Sequence, residues 1–225
     1  PSAASLGEAG KRAFASIHAE VCAAFPGGSE NQTPGTTCTI VAICPSLEEV
    51  LVLNVGDSLG LFVPYSARRK TQKHKMITAD HRLESSPEEV ERVLGMGGRI
   101  ARAMNARGDP MGPIRLWPAG LAMGRSIGDS DAAPYIDATP SVNIYPLLEG
   151  DYVICSDGVW DSIQASRVAR LCASSQTPKL KAQRIVQASF DARCTTVMVN
   201  QLYEQRTPVD DITVFVFRCG PTSSK

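Results

Sequence analysis

Residues 36–63 read TTCTIVAICPSLEEVLVLNVGDSLGLFV, and this stretch decides the fold class. TTCTIVAIC and EVLVLNV are two runs rich in β-branched residues, and beyond Gly56-Asp57-Ser58 the apolar pattern continues into LGLFV. β-Branched side chains suit a pleated, half-buried surface, and turn residues between such runs mark strands that fold back on one another. Gly56, Asp57 and Ser58 are therefore expected at a hairpin tip.

Upstream, residues 5–25 place Leu6, Ala9, Ala13, Ile17, Val21 and Ala24 at helical spacing, with Glu8, Lys11, Arg12 and Glu20 elsewhere on the surface. That pattern predicts an amphipathic helix covering a core, followed by a polar loop at 27–35. Downstream, Ser86-Pro87-Glu88-Glu89 is a capping box with proline at the first helical position, and the helix should run to about Met96 before Gly97 and Gly98 stop it. Residues 99–120 are rich in Gly, Pro and Arg, lack a clear period and read as a surface excursion. SVNIYPL and DYVICS read as strands, then two helical patterns follow near 164–175 and 179–193. Residues 193–209 fit no pattern. DITVFVFRC closes the set, apolar on both faces as a central strand would be. Hairpin-like runs of strands with helices grouped between them predict an α+β fold of antiparallel sheets sandwiched by helices, in a single domain over 1–225.

With 43% hydrophobic residues in 225, the chain can bury a sizeable core. Lys+Arg 23 against Asp+Glu 23 leaves a formal net charge of zero, so no global field favours nucleic acid or an anionic membrane surface. The basic run RRKTQKHK at 68–75 is short and reads as a solvated connection. No apolar run approaches a membrane span, and the seven scattered cysteines form no C-x-x-C pair. Reduced, buried thiols and a cytoplasmic or nuclear monomer are expected.

Residues 151–161, DYVICSDGVWD, end an apolar strand on Asp157 and follow it at once with Gly158. A carboxylate at the rim of a core needs compensation, because desolvating its charge costs several kcal/mol. Asp57 after LNVG and Asp210-Asp211 before ITVFVF are placed in the same way. If these strand ends converge, the like charges repel, and a hard divalent cation is the usual remedy, with Mg²⁺ or Mn²⁺ favoured where no His or Cys stands beside them. The other explanation is local: aspartate caps turns and helix N-termini.

The ordered blocks GTTCTIVAI, LNVGDS, ITADHR, GMGGRI, LAMGRSIGD, TPSV, CSDGVWD and DDITVFVF, spread from residue 35 to 217, resemble the metal-dependent PPM protein phosphatases of type 2C. The resemblance implies two antiparallel sheets packed as a sandwich, flanked by helix pairs. It implies two Mn²⁺ or Mg²⁺ ions at one end, a possible third, and phosphoserine or phosphothreonine proteins as substrates for a metal-activated water. By motif, Asp157 and Asp210 correspond to ligands of the second ion and Asp57 to a ligand of the third. Gly158 would let the backbone turn beside an ion, and Asp161 would orient water or a ligand next to it. Residues 82–119 correspond to the variable flap, with Arg99, Arg102, Arg107 and Arg115 expected to solvate it.

The chain also departs from that pattern. The Asp-Gly-His block, which bridges both ions and offers a general acid, does not occur, nor does the upstream arginine that grips the phosphoryl group. No catalytic residue of the chain's own replaces them, so the acid and the phosphate clamp are expected upstream of Pro1, and the chain should represent about the C-terminal two-thirds of such a domain. His18 on the polar side of a helix, His74 in the basic run and His81 after a strand read as surface or structural. Leu59 replaces a common Arg, and Gly124 a frequent Ser or Thr. A catalytically inactive relative that keeps the fold as a binding or regulatory module is the alternative.

Overall fold

The computed structural model describes residues 2–26, 33–65, 73–173, 177–193, 195–199, 202–206 and 210–220, so the expectations for the 27–35 loop and the basic run lie largely outside the described residues. Its chain forms two compact units, Pro1–Ser58 with Thr78–Tyr145, and Leu59–Ile77 with Pro146–Lys225.

In the first unit helix α1 (Ala3–Ala24) starts at Ser2, whose Oγ accepts from the Ser5 N–H at 3.2 Å. The helix buries a different stripe from the expected one. Ala3, Gly7 and Phe14 are buried, whereas Leu6 and Ile17 are exposed. The physical reason is close approach: a Cβ on Gly7 would lie 2.9 Å from Val142 Cγ1, and one on Gly10 would lie 2.5 Å from Leu53 Cδ2. Two glycines let the helix sit on the sheet beneath, and Phe14 fills the remaining gap with Leu51, Leu53, Val55 and Ile127.

That sheet has the order β2 (Cys38–Cys44), β3 (Glu49–Val55), β9 (Ser141–Pro146). β3 is central, and all its residues from Val50 to Val55 are buried. The buried amide of Asn54 is satisfied: its oxygen accepts from Thr39 Oγ1 at 2.5 Å, and its nitrogen donates to the carbonyls of Gly56 at 3.2 Å and Ala79 at 2.7 Å. A short pair, β1 (Gly35–Thr36) with β8 (Ile127–Gly128), lies in the same unit.

The expected hairpin tip at 56–58 is not one. Strand β4 (Leu59–Pro64) belongs to another sheet, and both edges of β3 are taken by β2 and β9; Gly56, at φ +95°, follows the end of β3.

Helix α2 (Pro87–Gly95) begins as the capping box predicts, with the Ser86 Oγ accepting from the Glu89 N–H at 3.4 Å. Residues 99–120 are more ordered than their composition suggests. β6 (Arg99–Met104) and β7 (Pro110–Trp117) pair antiparallel, and Leu116 joins Leu83, Val93 and Ala132 in a small core of its own.

The second unit carries the sheet β13 (Val214–Cys219), β10 (Gly150–Cys155), β4, β5 (Lys75–Met76). β10 is its centre, paired with β4 and β13 over its whole length. The final strand, expected to be central, pairs among the described residues with β10 alone, and Phe215 is exposed. Its apolar residues still pack: Phe217 stacks on Tyr152 at 5.0 Å, and Tyr152 meets Phe62 at a tilt of 45° with ring centres 4.8 Å apart. Helices α3 (Asp157–Trp160), α4 (Ala165–Cys172) and α5 (Pro178–Arg193) follow β10. Val168, Ala169, Cys172, Ile185 and Ala188 from α4 and α5 meet Leu61, Val63 and Val153 in the unit's core. The stretch that fits no sequence pattern contains two paired strands, β11 (Thr195–Val199) and β12 (Leu202–Arg206).

Candidate metal centre

Antiparallel pairing of β10 with β13 ends at Cys155 opposite Val214, so the chain leaving β10 and the chain entering β13 lie side by side. Ser156 stitches them together. Its N–H donates to the Thr213 carbonyl at 3.1 Å, its Oγ donates to the Asp211 carbonyl at 3.2 Å, and it accepts from the Thr213 N–H at 3.0 Å. Gly158 completes the junction, since a Cβ there would lie 2.2 Å from the Asp211 carbonyl oxygen. The glycine is required by close approach of two backbones, and the sequence signal for it is its place directly after Asp157.

Asp157 is the first residue of the one-turn helix α3 and is half-buried; its carbonyl accepts from the Asp161 N–H at 2.8 Å. Asp210 is exposed, and its Oδ1 accepts from the Asp211 N–H at 2.8 Å. Asp161, also exposed, closes α3. Of these, the Asp210 carboxylate makes the local turn-type bond of the capping explanation, whereas the Asp161 N–H meets Asp157 at its backbone carbonyl. The two segments joined there carry the carboxylates of Asp157 and Asp210, which are hard oxygen donors. Such donors suit Mg²⁺ or Mn²⁺ better than Zn²⁺. Among the described residues no group of three or more His, Cys, Asp and Glu side chains converges to hold an ion.

Asp57 lies in the first unit, buried with 4% of its surface exposed. Its compensation comes from a residue that sequence spacing does not reveal: Arg82 Nε donates to Asp57 Oδ2 at 2.9 Å. The preceding residue holds the turn itself. His81 is buried, with Nδ1 3.1 Å from the Gly56 nitrogen and 3.0 Å from its carbonyl oxygen, and Nε2 2.7 Å from Ser141 Oγ. Burial pushes the His81 pKa down, assisted by the positive charge of Arg125. A neutral imidazole with both nitrogens engaged is a structural histidine, as its sequence context suggested.

A second buried carboxylate, expected only as part of the α2 capping box, ties α2 to the LAMGRSIGD block. Glu89 is 2% exposed and binds two arginines, Arg92 Nη2 at 2.8 Å and Arg125 Nε at 2.7 Å. Arg92 also donates to the carbonyls of Gly124 at 2.6 Å and Tyr135 at 2.8 Å. Gly124 leaves room for this arrangement, because a Cβ there would meet Glu89 Oε2 at 2.5 Å. Within the flap segment Arg102 is not merely solvating: it pairs with Glu84, while Arg115 donates to the Gly120 carbonyl at 2.6 Å. Arg99 and Arg107 are exposed. His18, expected on a polar helix face, is half-buried and accepts from the Gly128 N–H at 3.1 Å; His74 is exposed. Cys155 and Cys172 are buried in the core, and burial raises both thiols, Cys172 to about 12, which leaves neither as a nucleophile.

The sequence pattern of the family described as Protein phosphatase 2C matches residues 3–198. The chain is 39% identical over 157 residues to "Probable protein phosphatase 2C 12" of Arabidopsis thaliana, covering 69% of this chain and 35% of that protein. It is 35% identical over 166 residues to "Probable protein phosphatase 2C 3" of Oryza sativa subsp. japonica, covering 73% of this chain and 33% of that protein. It thus spans about a third of the length of these curated relatives. In three dimensions it resembles the serine-threonine phosphatase 2C of Toxoplasma gondii at TM-score 0.67, with 19% identity, 94% of this chain and 66% of the other covered. It also resembles the catalytic domain of the phosphatase PstP, solved in complex with two manganese ions, at TM-score 0.55 and 17% identity, with 95% of this chain and 69% of that one covered. These likenesses agree with the α+β architecture, and with the motif blocks in their order they place this chain in the protein phosphatase 2C (PPM) family.

Proposed function

We propose that this chain carries part of the metal site of an enzyme that hydrolyses phosphoserine and phosphothreonine in proteins. The observation that carries the proposal is the Ser156 junction, in which the hydroxyl and N–H of the residue before Asp157 bond the backbone of Asp211 and Thr213. Asp157 and Asp210 would hold Mn²⁺ or Mg²⁺ there, Gly158 keeps the two backbones in contact, and Asp161 orients a water or ligand nearby. Asp57 is the proposed ligand of a third ion. When bound, the ions would lower the pKa of a water and neutralise charge developing on the phosphoryl oxygens. The protein residues contribute positioning: a carboxylate on a one-turn helix docked against a strand end has little freedom to move. No nucleophile from the chain itself is needed, in keeping with the buried Cys155 and Cys172.

The second reading, an inactive relative retained for binding, draws on the internal pairing of Asp57 with Arg82. A single assay separates the two. A polypeptide joining this chain to a segment with an Asp-Gly-His block is given a phosphothreonine peptide in millimolar Mn²⁺. Metal-dependent turnover that falls on the order of a hundredfold or more in Asp157→Asn is expected for the enzyme. Turnover unchanged by Asp157→Asn overturns the assignment of the site, and no turnover in the unsubstituted polypeptide favours the binding module.

A further inference from the structure

Helix α2 turns Val93 into the small core with Leu83 and Leu116 and leaves Leu94, the next residue, 52% exposed. Leu94 forms the wall shared by two shallow hollows. One is lined by Leu83, Pro87 and Val90 and edged by Glu91; the other is lined by Ile100 and Trp117 and edged by Arg99. The surface is stiff. A Cβ on Gly98 would lie 2.5 Å from Val93 Cγ1, so the end of α2 and the start of β6 meet closely, and the Trp117 indole N–H donates to the Ala101 carbonyl at 3.0 Å. Glu91 and Arg99 are both exposed, and among the described residues neither makes an ion pair, whereas Glu84, Glu89, Arg92 and Arg102 in the same segment are paired.

An exposed apolar side chain with an acid on one side and a base on the other carries its own complement. Turned about a two-fold axis beside Leu94, a second copy brings its Arg99 opposite Glu91 and its Glu91 opposite Arg99, while each Leu94 enters the hollow beside the other. A partner of single-signed charge is attracted at one edge and repelled at the other. We propose that this face is an isologous contact between two copies of the chain, in place of the expected monomer. Burial of Leu94 supplies the apolar part, and the two Glu91–Arg99 pairs at the rim fix orientation and make the association weaken in salt. The inference stands independently of the proposed metal site.

The test is sedimentation equilibrium of the 225-residue chain from about 10 μM to 1 mM. A reversible monomer–dimer equilibrium is expected, weaker at high salt. Glu91→Arg and Arg99→Glu each set like charges against one another at both edges, and each should weaken dimerisation roughly tenfold or more. Both positions are exposed, so neither change should disturb the fold. Mixed in equal amounts, the two single variants should pair about as well as the unsubstituted chain, and so should the double variant Glu91→Arg, Arg99→Glu. Leu94→Asp should abolish the dimer. A monomer at every concentration overturns the inference and leaves the face to a different protein. A dimer indifferent to both charge reversals places the contact elsewhere, and losses that mixing does not repair refute the pairing of Glu91 with Arg99. Growth beyond two copies also contradicts it, since an isologous contact closes at the dimer.

Discussion

His81 has both ring nitrogens engaged and almost no exposed surface, and the cost of charging it in that setting lowers its pKa below the ordinary 6.5. In the unfolded chain the imidazole takes up a proton as pH falls through 6.5, while the folded protein resists until a lower pH. Between those two points the unfolded state binds more protons, so folding stability falls with falling pH. Above 6.5 the full contribution is present, and below the folded value the slope levels off. His81→Asn, which keeps a polar group near Gly56 but cannot titrate, should flatten that slope. Urea midpoints measured from about pH 5 to pH 8 would check it. A slope identical in the two proteins would mean that another group titrates there. At this scale the sequence identified Asp57 and His81 by motif but not their partners. Arg82 lies 25 residues from Asp57 along the chain, and only the tertiary fold brings the two together.

At the scale of elements, the second unit is tied by a buried ionic trio. Asp151 on β10 binds Lys181 on α5, and Arg218 on β13 at 3.0 Å, with Lys181 1% exposed. The trio fixes the helix to the two strands whose ends form the Ser156 junction. Lys181→Met leaves Asp151 buried with only the half-exposed Arg218 and should cost about 3–5 kcal/mol in chemical denaturation. The double variant Lys181→Met, Asp151→Leu should cost less than the single one, since the buried carboxylate is then gone and the cation left behind, Arg218, is 29% exposed to water. A double variant no more stable than the single would show that packing, not charge, carries the effect. Elements were legible where local signals agree: Ser86 with Glu89 for α2, and the periodic stretches for α4 and α5. They were misread where packing decides. The α1 face follows Gly7 and Gly10 against Val142 and Leu53, contacts that a periodicity of large apolar residues does not register. The β6–β7 pair is short and arginine-rich, and its core residue Leu116 has apolar partners far off in sequence.

For the whole molecule, the eight motif blocks made the family legible through their order along the chain. The exchange of partners between consecutive strands β3 and β4 was not legible, since each is equally apolar and the choice of sheet rests on distant strands. The chain spans about a third of its curated relatives, so the proposed metal site is judged best by what this chain binds. Calorimetric titration of the 225-residue chain with Mn²⁺, beside Asp157→Asn, asks this directly. Weak but saturable binding to the unsubstituted chain is expected, because the junction offers few carboxylates, with loss of that binding in Asp157→Asn. Equal Mn²⁺ affinity in the two proteins would contradict a metal centre at Asp157.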